Sequence, residues 1–92
     1  MRRAAKVDQN QHPILQAAEQ MGCTVVSLAQ VGKGCPDALI GHASPRGRVN
    51  ILIEIKADKG TLTPEQVRFH REWRGQVAVV RCVNDLLALL RR

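Results

Sequence analysis

The sequence predicts a single α/β domain, a sandwich in which helices and strands follow in the order α-β-β-β-α-β-α around a central mixed four-stranded sheet. Three observations support this class. Four short runs of aliphatic and β-branched residues are typical of strands, and the segments around them carry helical spacing or helix-capping residues. The chain has 92 residues, 45% of them hydrophobic, with one Phe, one Trp and no Tyr, which fits one domain with an aliphatic core.

The boundaries of the elements follow from local spacing. Ile14, Leu15 and Ala18 recur at helical spacing, Pro13 is acceptable only in a first turn, and Gly22 ends the helix. Residues 1–7 form a basic start that we expect to be flexible. The predicted elements are a helix over 8–22, strands over 23–31, 36–41 and 48–57 with a turn over 42–47, a helix from Thr63 to about Arg74, a strand over 76–82, and a last helix capped by Asn84 or Asp85.

The clearest local signal is the start of the second predicted helix. It has Thr63 at the N-cap, Pro64 at the first helical position and Gln66 at the third, which is the pattern of a capping box. Phe69 and Trp73 share a face of this helix with Gln66, and we expect both aromatic side chains to lie in the core.

The charge of the chain favours a polyanionic partner. Fourteen Lys and Arg residues face eight Asp and Glu residues, which gives a formal net charge of +6. If some of the acidic residues are gathered at a metal ion, the remaining surface is more basic still. Nucleic acid is the most plausible partner of such a surface, and a solvated basic surface without a partner is the alternative.

Cysteine usage and hydropathy argue against a zinc-binding, a secreted or a membrane-spanning protein. Cys23, Cys35 and Cys82 lack the spacing of a zinc site, and an odd number of thiols indicates a reducing compartment. The basic start is followed by no apolar signal segment, and no stretch approaches transmembrane length, so we expect an intracellular protein without a membrane partner. A domain this small gains stability by burying further surface, which favours a homodimer.

Two charged residues interrupt the most apolar strand of the chain. Because successive side chains on a strand point to opposite faces, Glu54 and Lys56 share one face while Ile53 and Ile55 fill the other. Asp37 lies on the short strand that forms a hairpin with the strand of Glu54. A hard divalent cation held by two carboxylates, with a nearby ammonium, can hydrolyse a phosphodiester bond. The backbone carbonyl of Ile55, between the two charged side chains, is a natural further oxygen ligand.

These residues also carry a resemblance to a known family. The strings Gly34-Cys35-Pro36-Asp37 and Glu54-Ile55-Lys56, followed by the Thr63-Pro64-Glu65-Gln66 helix, resemble the PD-(D/E)XK nuclease superfamily. The sequence is most similar to its VRR-NUC family, whose small stand-alone members occur in phages and bacteria. The similarity extends over roughly residues 15–90. It implies a restriction-endonuclease-like α/β sandwich in the cytoplasm of a bacterial or phage-infected cell.

The resemblance also implies roles for single residues. Asp37 and Glu54 would hold Mg²⁺ or Mn²⁺, and Lys56 would be catalytic. Glu19 matches, by position and type, a Glu of the first helix that faces the site in family members; a Glu on an amphipathic helix is more commonly solvated, so both interpretations are kept. Gln66 matches a residue that lines the site or contacts DNA, in addition to its capping role.

Seven basic residues outside this cluster are the candidate contacts to DNA phosphates, although each one alone could equally be a solvated surface charge. They are Lys33, Arg46, Arg48, Lys59, Arg68, Arg71 and Arg74.

The leading hypothesis is a metal-dependent endonuclease that cuts branched DNA with water as the nucleophile. Minimal members of the family resemble Holliday-junction resolvases, which act as dimers on four-way junctions. Two alternatives are kept: a nuclease of broader DNA preference, and a catalytically inactive DNA-binding module on the same fold. An RNA-directed role is weaker, because the sequence lacks exposed aromatic residues that would stack single-stranded bases.

Overall fold

A computed structural model describes residues 12–92, and its helices and strands follow the predicted order. In chain order they are α1 (Pro13–Gln20), β1 (Thr24–Ser27), β2 (Ala38–Ser44), β3 (Gly47–Ile55), α2 (Pro64–Glu72), β4 (Val77–Val80) and α3 (Val83–Leu90). The basic start over 1–7, and the part of the first predicted helix before residue 12, lie outside the described residues.

The four strands form one mixed sheet in the order β1-β2-β3-β4. The β1–β2 and β2–β3 pairs are antiparallel, whereas β3 and β4 run parallel. The parallel pair is connected through α2, as a parallel connection requires a crossover. The predicted fold class is confirmed, and β3, which carries Glu54, is an interior strand of the sheet.

The core lies between one face of the sheet and the helices α1 and α3. Ile40 and Ile53 project from the sheet, Ala18 from α1 and Leu86 from α3, and all four side chains are fully buried. This is the aliphatic core that the composition predicts. It occupies the face of β3 opposite to Glu54, because Ile53 and Glu54 are consecutive residues of one strand.

The first strand is shorter than its apolar sequence predicts. Pairing of β1 with β2 ends at Ser27 and Ala38, and Leu28 then donates its N–H to the Asp37 carbonyl at 2.8 Å. To continue this antiparallel pairing, the chain after Leu28 would have to bond Pro36, which has no N–H to donate. Residues 28–31 therefore turn away, and the strand predicted over 23–31 is wrong in its second half.

The hairpin between β2 and β3 is longer and tighter than predicted. His42, Ala43 and Ser44 pair with β3 instead of forming the first half of the turn predicted over 42–47. The Ser44 hydroxyl closes the turn, because it donates to the Gly47 carbonyl at 2.9 Å and accepts from the Arg46 N–H at 3.1 Å.

The last helix begins one residue before the earliest cap predicted for it. Cys82 occupies the N-cap and makes no capping hydrogen bond through its side chain. Asp85, predicted as a cap along with Asn84, lies inside the first turn, where its carboxylate accepts the Arg81 N–H at 2.9 Å. The predicted cap is therefore wrong, because the acidic side chain satisfies the backbone from within the helix.

Helix α2 differs most from expectation. It contains no buried residue; Phe69 is half-buried, and 47% of Trp73 is exposed. The prediction that both aromatic side chains lie in the core is therefore wrong. The first turn of α2 contacts the sheet through the Gln66–Glu54 hydrogen bond, but no side chain of the helix is buried, so helical spacing alone overestimated its burial. None of the helices over residues 12–92 is long and apolar enough to cross a membrane.

Candidate active site

The pairing of β2 with β3 brings the two carboxylates together. Ala38 pairs with Ile53 in an antiparallel register, so the preceding Asp37 lies beside Glu54. One carboxylate oxygen of Asp37, Oδ2, accepts the N–H of Ile55 at 2.6 Å. Since the N–H and C=O of one strand residue point to the same side, the Ile55 carbonyl is directed toward Asp37 as well. The three predicted oxygen donors thus converge at the end of the hairpin.

Glu54 is buried and only partly satisfied. Only 2% of the residue is exposed, and its Oε2 accepts the side-chain N–H of Gln66 at 3.2 Å. Its other oxygen, Oε1, is buried and has no hydrogen-bond partner among the described residues. Burial, and then the charge of Asp37, raise the pKa of Glu54 to about 7, and Lys56 opposes this shift only in part. Lys56 alone therefore does not provide enough positive charge to keep this buried carboxylate ionised at neutral pH.

Among residues 12–92, Lys56 is the cation that pairs with this carboxylate. Its Nζ lies 4.0 Å from Glu54 Oε2, and 18% of its side chain is exposed. The distance is that of a loose ion pair. Lys56 therefore combines partial burial next to the carboxylates with access to solvent, which is the position that a group acting on a bound phosphate requires.

Gln66 joins the start of α2 to the site. Its side-chain Oε1 accepts the Thr63 N–H at 2.9 Å, and its backbone N–H donates to the Thr63 hydroxyl at 3.2 Å, so the predicted capping box is confirmed. The remaining amide N–H of the side chain reaches Glu54. Gly34, with φ of 80°, allows this approach, because a Cβ at that position would lie 2.5 Å from the carbonyl oxygen of Glu65.

An open cleft of about 390 Å³ adjoins this cluster. Asp37, Ile55 and Lys56 belong to its lining, whereas Glu54 and Gln66 do not. A cleft of this size admits a phosphate group with part of its sugar.

Two further residues line the cleft that the sequence did not single out. His12 lies before α1 and accepts the Ile14 N–H on its Nδ1 at 3.1 Å. Arg81 follows β4, and one guanidinium nitrogen donates to the carbonyls of Ala57 at 2.8 Å and Gly60 at 2.7 Å. The signal for Arg81 was its place directly after β4, because the ends of parallel strands meet at one edge of a sheet. No comparable signal marked His12.

Glu19 and the predicted DNA contacts lie farther out. Glu19 is exposed on α1 and does not line the cleft. The seven predicted phosphate contacts are all exposed. Lys33 and Lys59 lie in the loops that adjoin the site, whereas Arg46 and Arg48 lie at the hairpin turn, about 20 Å from Glu54 at the rise of a strand. The structure therefore does not bring these two arginines to the carboxylates.

The donor set fits a hard divalent cation. It consists of two carboxylates and one backbone carbonyl, and Glu54 Oε1 is a buried acceptor that lacks a partner. Within residues 12–92 no group of three or more His, Cys, Asp or Glu residues comes together. Mg²⁺ suits such a site, since it commonly keeps several waters and is bound through one or two carboxylates.

The comparisons with known proteins agree with this geometry. A scan against family models finds no match, and a search of curated proteins finds none either. Among solved structures, a VRR_NUC domain superimposes with a TM-score of 0.68 at 28% sequence identity, over 95% of this chain and 96% of that one. The chain has a VRR-NUC fold. The predicted resemblance is thereby confirmed, and the VRR-NUC fold indicates a nuclease of the PD-(D/E)XK type.

Proposed function

We propose that this VRR-NUC chain is an endonuclease that hydrolyses DNA phosphodiester bonds with Mg²⁺ or Mn²⁺. The observation that carries the proposal is the buried Glu54 carboxylate. Its Oε1 has no hydrogen-bond partner among residues 12–92, its Oε2 lies 4.0 Å from Lys56 Nζ, and the β2–β3 register places Asp37 next to it. An apolar interior strand has no structural use for such a group, since a buried, unpaired carboxylate is destabilising. A bound cation would offset that cost.

Each residue of the cluster has a separate task in this proposal. Asp37, Glu54 and the Ile55 carbonyl hold the cation, which when bound neutralises phosphate charge and lowers the pKa of a coordinated water. The Ile55 N–H fixes Asp37, and Gln66 fixes the Oε2 atom of Glu54, which leaves Oε1 free as a ligand. Lys56 stabilises the charge that develops on the phosphate. Glu19 stays outside the proposed ligand set, because its side chain is exposed on α1, whereas Glu54 is buried beside Asp37.

The substrate and the assembly are further parts of the proposal. A net charge of +6 supports a polyanionic substrate, and the basic residues of the loops next to the site, Lys33 and Lys59, are placed to contact its phosphates. We propose branched DNA, in particular a four-way junction, cut by a homodimer in the cytoplasm.

Cleavage of end-labelled DNA tests this function. We expect symmetric nicks on opposing strands of a four-way junction with Mg²⁺ or Mn²⁺, and none with a chelator. Flaps and linear duplex of the same sequence are the comparison substrates, and light scattering after size exclusion gives the oligomeric state. Equal cutting of all three DNAs would favour the nuclease of broader preference. DNA binding without cleavage in any metal would favour the inactive binding module.

Alanine variants of Gln66 and Thr63 distinguish the capping role of Gln66 from its role in the candidate active site. Either residue mutated to alanine loses one half of the capping box, and each variant is expected to lose about 1 kcal/mol of stability. Only Gln66→Ala also releases Glu54, so its cleavage rate should fall about tenfold while that of Thr63→Ala stays close to wild type. Thermal melts and single-turnover cleavage of the same preparations provide the two readouts. Equal losses of activity would assign Gln66 to capping alone.

A further inference from the structure

The end of α2 presents an aromatic surface that the proposed mechanism does not use. Phe69 and Trp73 stack with their ring centroids 5.2 Å apart and their planes 14° from parallel. The Trp73 Nε1 edge lies over Gly75, where a Cβ would come within 2.9 Å of it. The indole is thus held on one face and at one edge, and yet 47% of the residue is exposed. An orientation fixed in this way leaves an aromatic surface open to solvent.

The sequence on either side of Trp73 is basic. Arg71 lies on the last turn of α2 and Arg74 directly follows Trp73, and both are exposed. Neither forms a salt bridge with a carboxylate of residues 12–92. Arg68 does have such a partner, Glu72, but at 4.0 Å and with both side chains about two-thirds exposed, so the pairing is weak. Two exposed guanidinium groups close in sequence to an exposed aromatic ring, neither with a salt bridge among residues 12–92, provide the two kinds of group that bind a nucleotide, which combines a flat base with a phosphate.

Helix α2 also sets the distance between this surface and the candidate active site. Gln66, in the first turn, contacts Glu54, and Trp73 lies seven residues later. At the rise of an α-helix this separation is about 10 Å. It corresponds to about three nucleotides at the spacing of stacked bases along one strand. A DNA strand cut at Glu54 could therefore extend to Trp73.

We propose that Trp73 stacks on an unpaired base of the DNA strand held at the active site, with Arg71 and Arg74 contacting the adjoining phosphates. The proposal rests on the proposed nuclease function and specifies its substrate. A base enters such a stack only when it is free of its own duplex neighbours, so the surface selects DNA with unpaired or splayed bases next to the cut. The exposure of Trp73 also shows that the expectation of no exposed aromatic residue for stacking was wrong.

Intrinsic fluorescence tests this proposal on the unmodified protein. Trp73 is the only Trp, and there is no Tyr, so the emission reports on this side chain alone. The titrations use oligothymidine single strands and blunt duplex of equal length, in chelator so that no cleavage occurs. We expect saturable quenching by the single strand and little change with the duplex. The absence of quenching on single-strand binding would overturn the proposal.

Variants provide a second and independent readout. Trp73→Ala is expected to lower single-strand affinity about tenfold or more, and Trp73→Phe, which keeps an aromatic face, to restore most of it. Val67→Ala is the matched control, because it removes an apolar side chain of α2 that is 45% exposed and not aromatic. Thermal melts confirm that each variant is folded. Equal affinity of the Ala and Phe variants would overturn stacking.

The competing occupant of this surface is a second copy of the chain. In that case the Trp73 emission of the free protein would shift on dilution through the monomer–dimer transition, and Trp73→Ala would weaken the dimer. That result would overturn the proposal. Because every binding measurement is made in chelator, a failure of stacking is distinguishable from a failure of the nuclease function, which is measured by metal-dependent cleavage of duplex and branched DNA.

Discussion

Mutation of Lys56 to methionine is expected to lower the rate of DNA cleavage by about a hundred- to a thousandfold, the usual effect of removing one group that stabilises transition-state charge. The variant should still fold, because methionine keeps the length of the aliphatic stem and Lys56 lies on the face of β3 opposite the core, with 18% of its side chain exposed. It should also still bind DNA, because the phosphate contacts proposed for the substrate are spread over several other basic residues. Single-turnover cleavage of a labelled four-way junction measures the rate, and anisotropy in chelator measures binding.

Lys59→Met is the matched control for this change. Lys59 lies three residues farther along the same loop, is exposed, and has no ion-pair partner within residues 12–92. Its loss should weaken binding modestly and reduce the salt dependence of binding, with little effect on the rate at saturating protein. If Lys56→Met cleaved at the wild-type rate, the ammonium would have no catalytic role, and its 4.0 Å approach to Glu54 would be a simple ion pair.

The order of elements could be predicted because each signal is local. The capping box of Thr63 and Gln66 is the clearest case, since both partners lie within one turn and the structure contains both hydrogen bonds. The ends of the strands depend instead on hydrogen-bonded pairing with a neighbouring strand. The strand after Cys23 reads as apolar to Val31, but it ends at Ser27 because the partner segment begins at Ala38. A strand needs a neighbour, and the sequence of one segment does not contain that information.

The candidate site was predictable where it depends on a single hairpin. Alternation along β3 places Glu54 opposite the core, and the antiparallel register of β2 and β3 then places Asp37 beside it. The residues that were missed come from elsewhere. His12 and Arg81 reach the cleft from the start of α1 and the end of β4, and only the packing of these elements brings them there.

Trp73 shows a second limit of sequence patterns. The spacing of Phe69 and Trp73 is the same whether the face of a helix lies in a core or at a surface. What decides between the two is whether another layer covers that face, and α1 and α3 both pack on the opposite side of the sheet. The exposed aromatic stack at the end of α2 could therefore be found only in the folded molecule.

The second large effect concerns the stability of the protein without metal. Burial and the neighbouring Asp37 raise the pKa of Glu54 from 4.5 to about 7. The folded state therefore binds this proton more tightly than the unfolded state does, so the contribution of Glu54 to stability is fully present below pH 4.5 and is lost as pH rises to about 7. Above that range the ionised carboxylate costs on the order of 3 kcal/mol.

Glu54→Gln removes this cost, because the amide is neutral at every pH. At about pH 8 the metal-free variant is expected to melt roughly 12–24 °C above the metal-free wild type, and the difference should shrink as the pH is lowered toward 5. The same variant should lose cleavage activity, since an amide oxygen is a poorer ligand for a hard cation than a carboxylate. Differential scanning calorimetry across this range, with and without Mg²⁺ or Mn²⁺, measures both the pH dependence and the effect of metal.

Binding of Mg²⁺ or Mn²⁺ should make the wild type more stable than Glu54→Gln, the reverse of their order without metal. Either cation is expected to raise the melting temperature of the wild type, since it binds the folded state, and to leave Glu54→Gln almost unchanged. Glu19→Gln is the control: Glu19 is an exposed carboxylate on α1, so this variant should melt, bind metal and cleave as the wild type does. A loss of metal stabilisation in Glu19→Gln would place that residue in the ligand set after all. If Glu54→Gln instead destabilised the protein at every pH, Glu54 would be a structural acceptor for Gln66 and Lys56. The buried carboxylate would then no longer support a metal site.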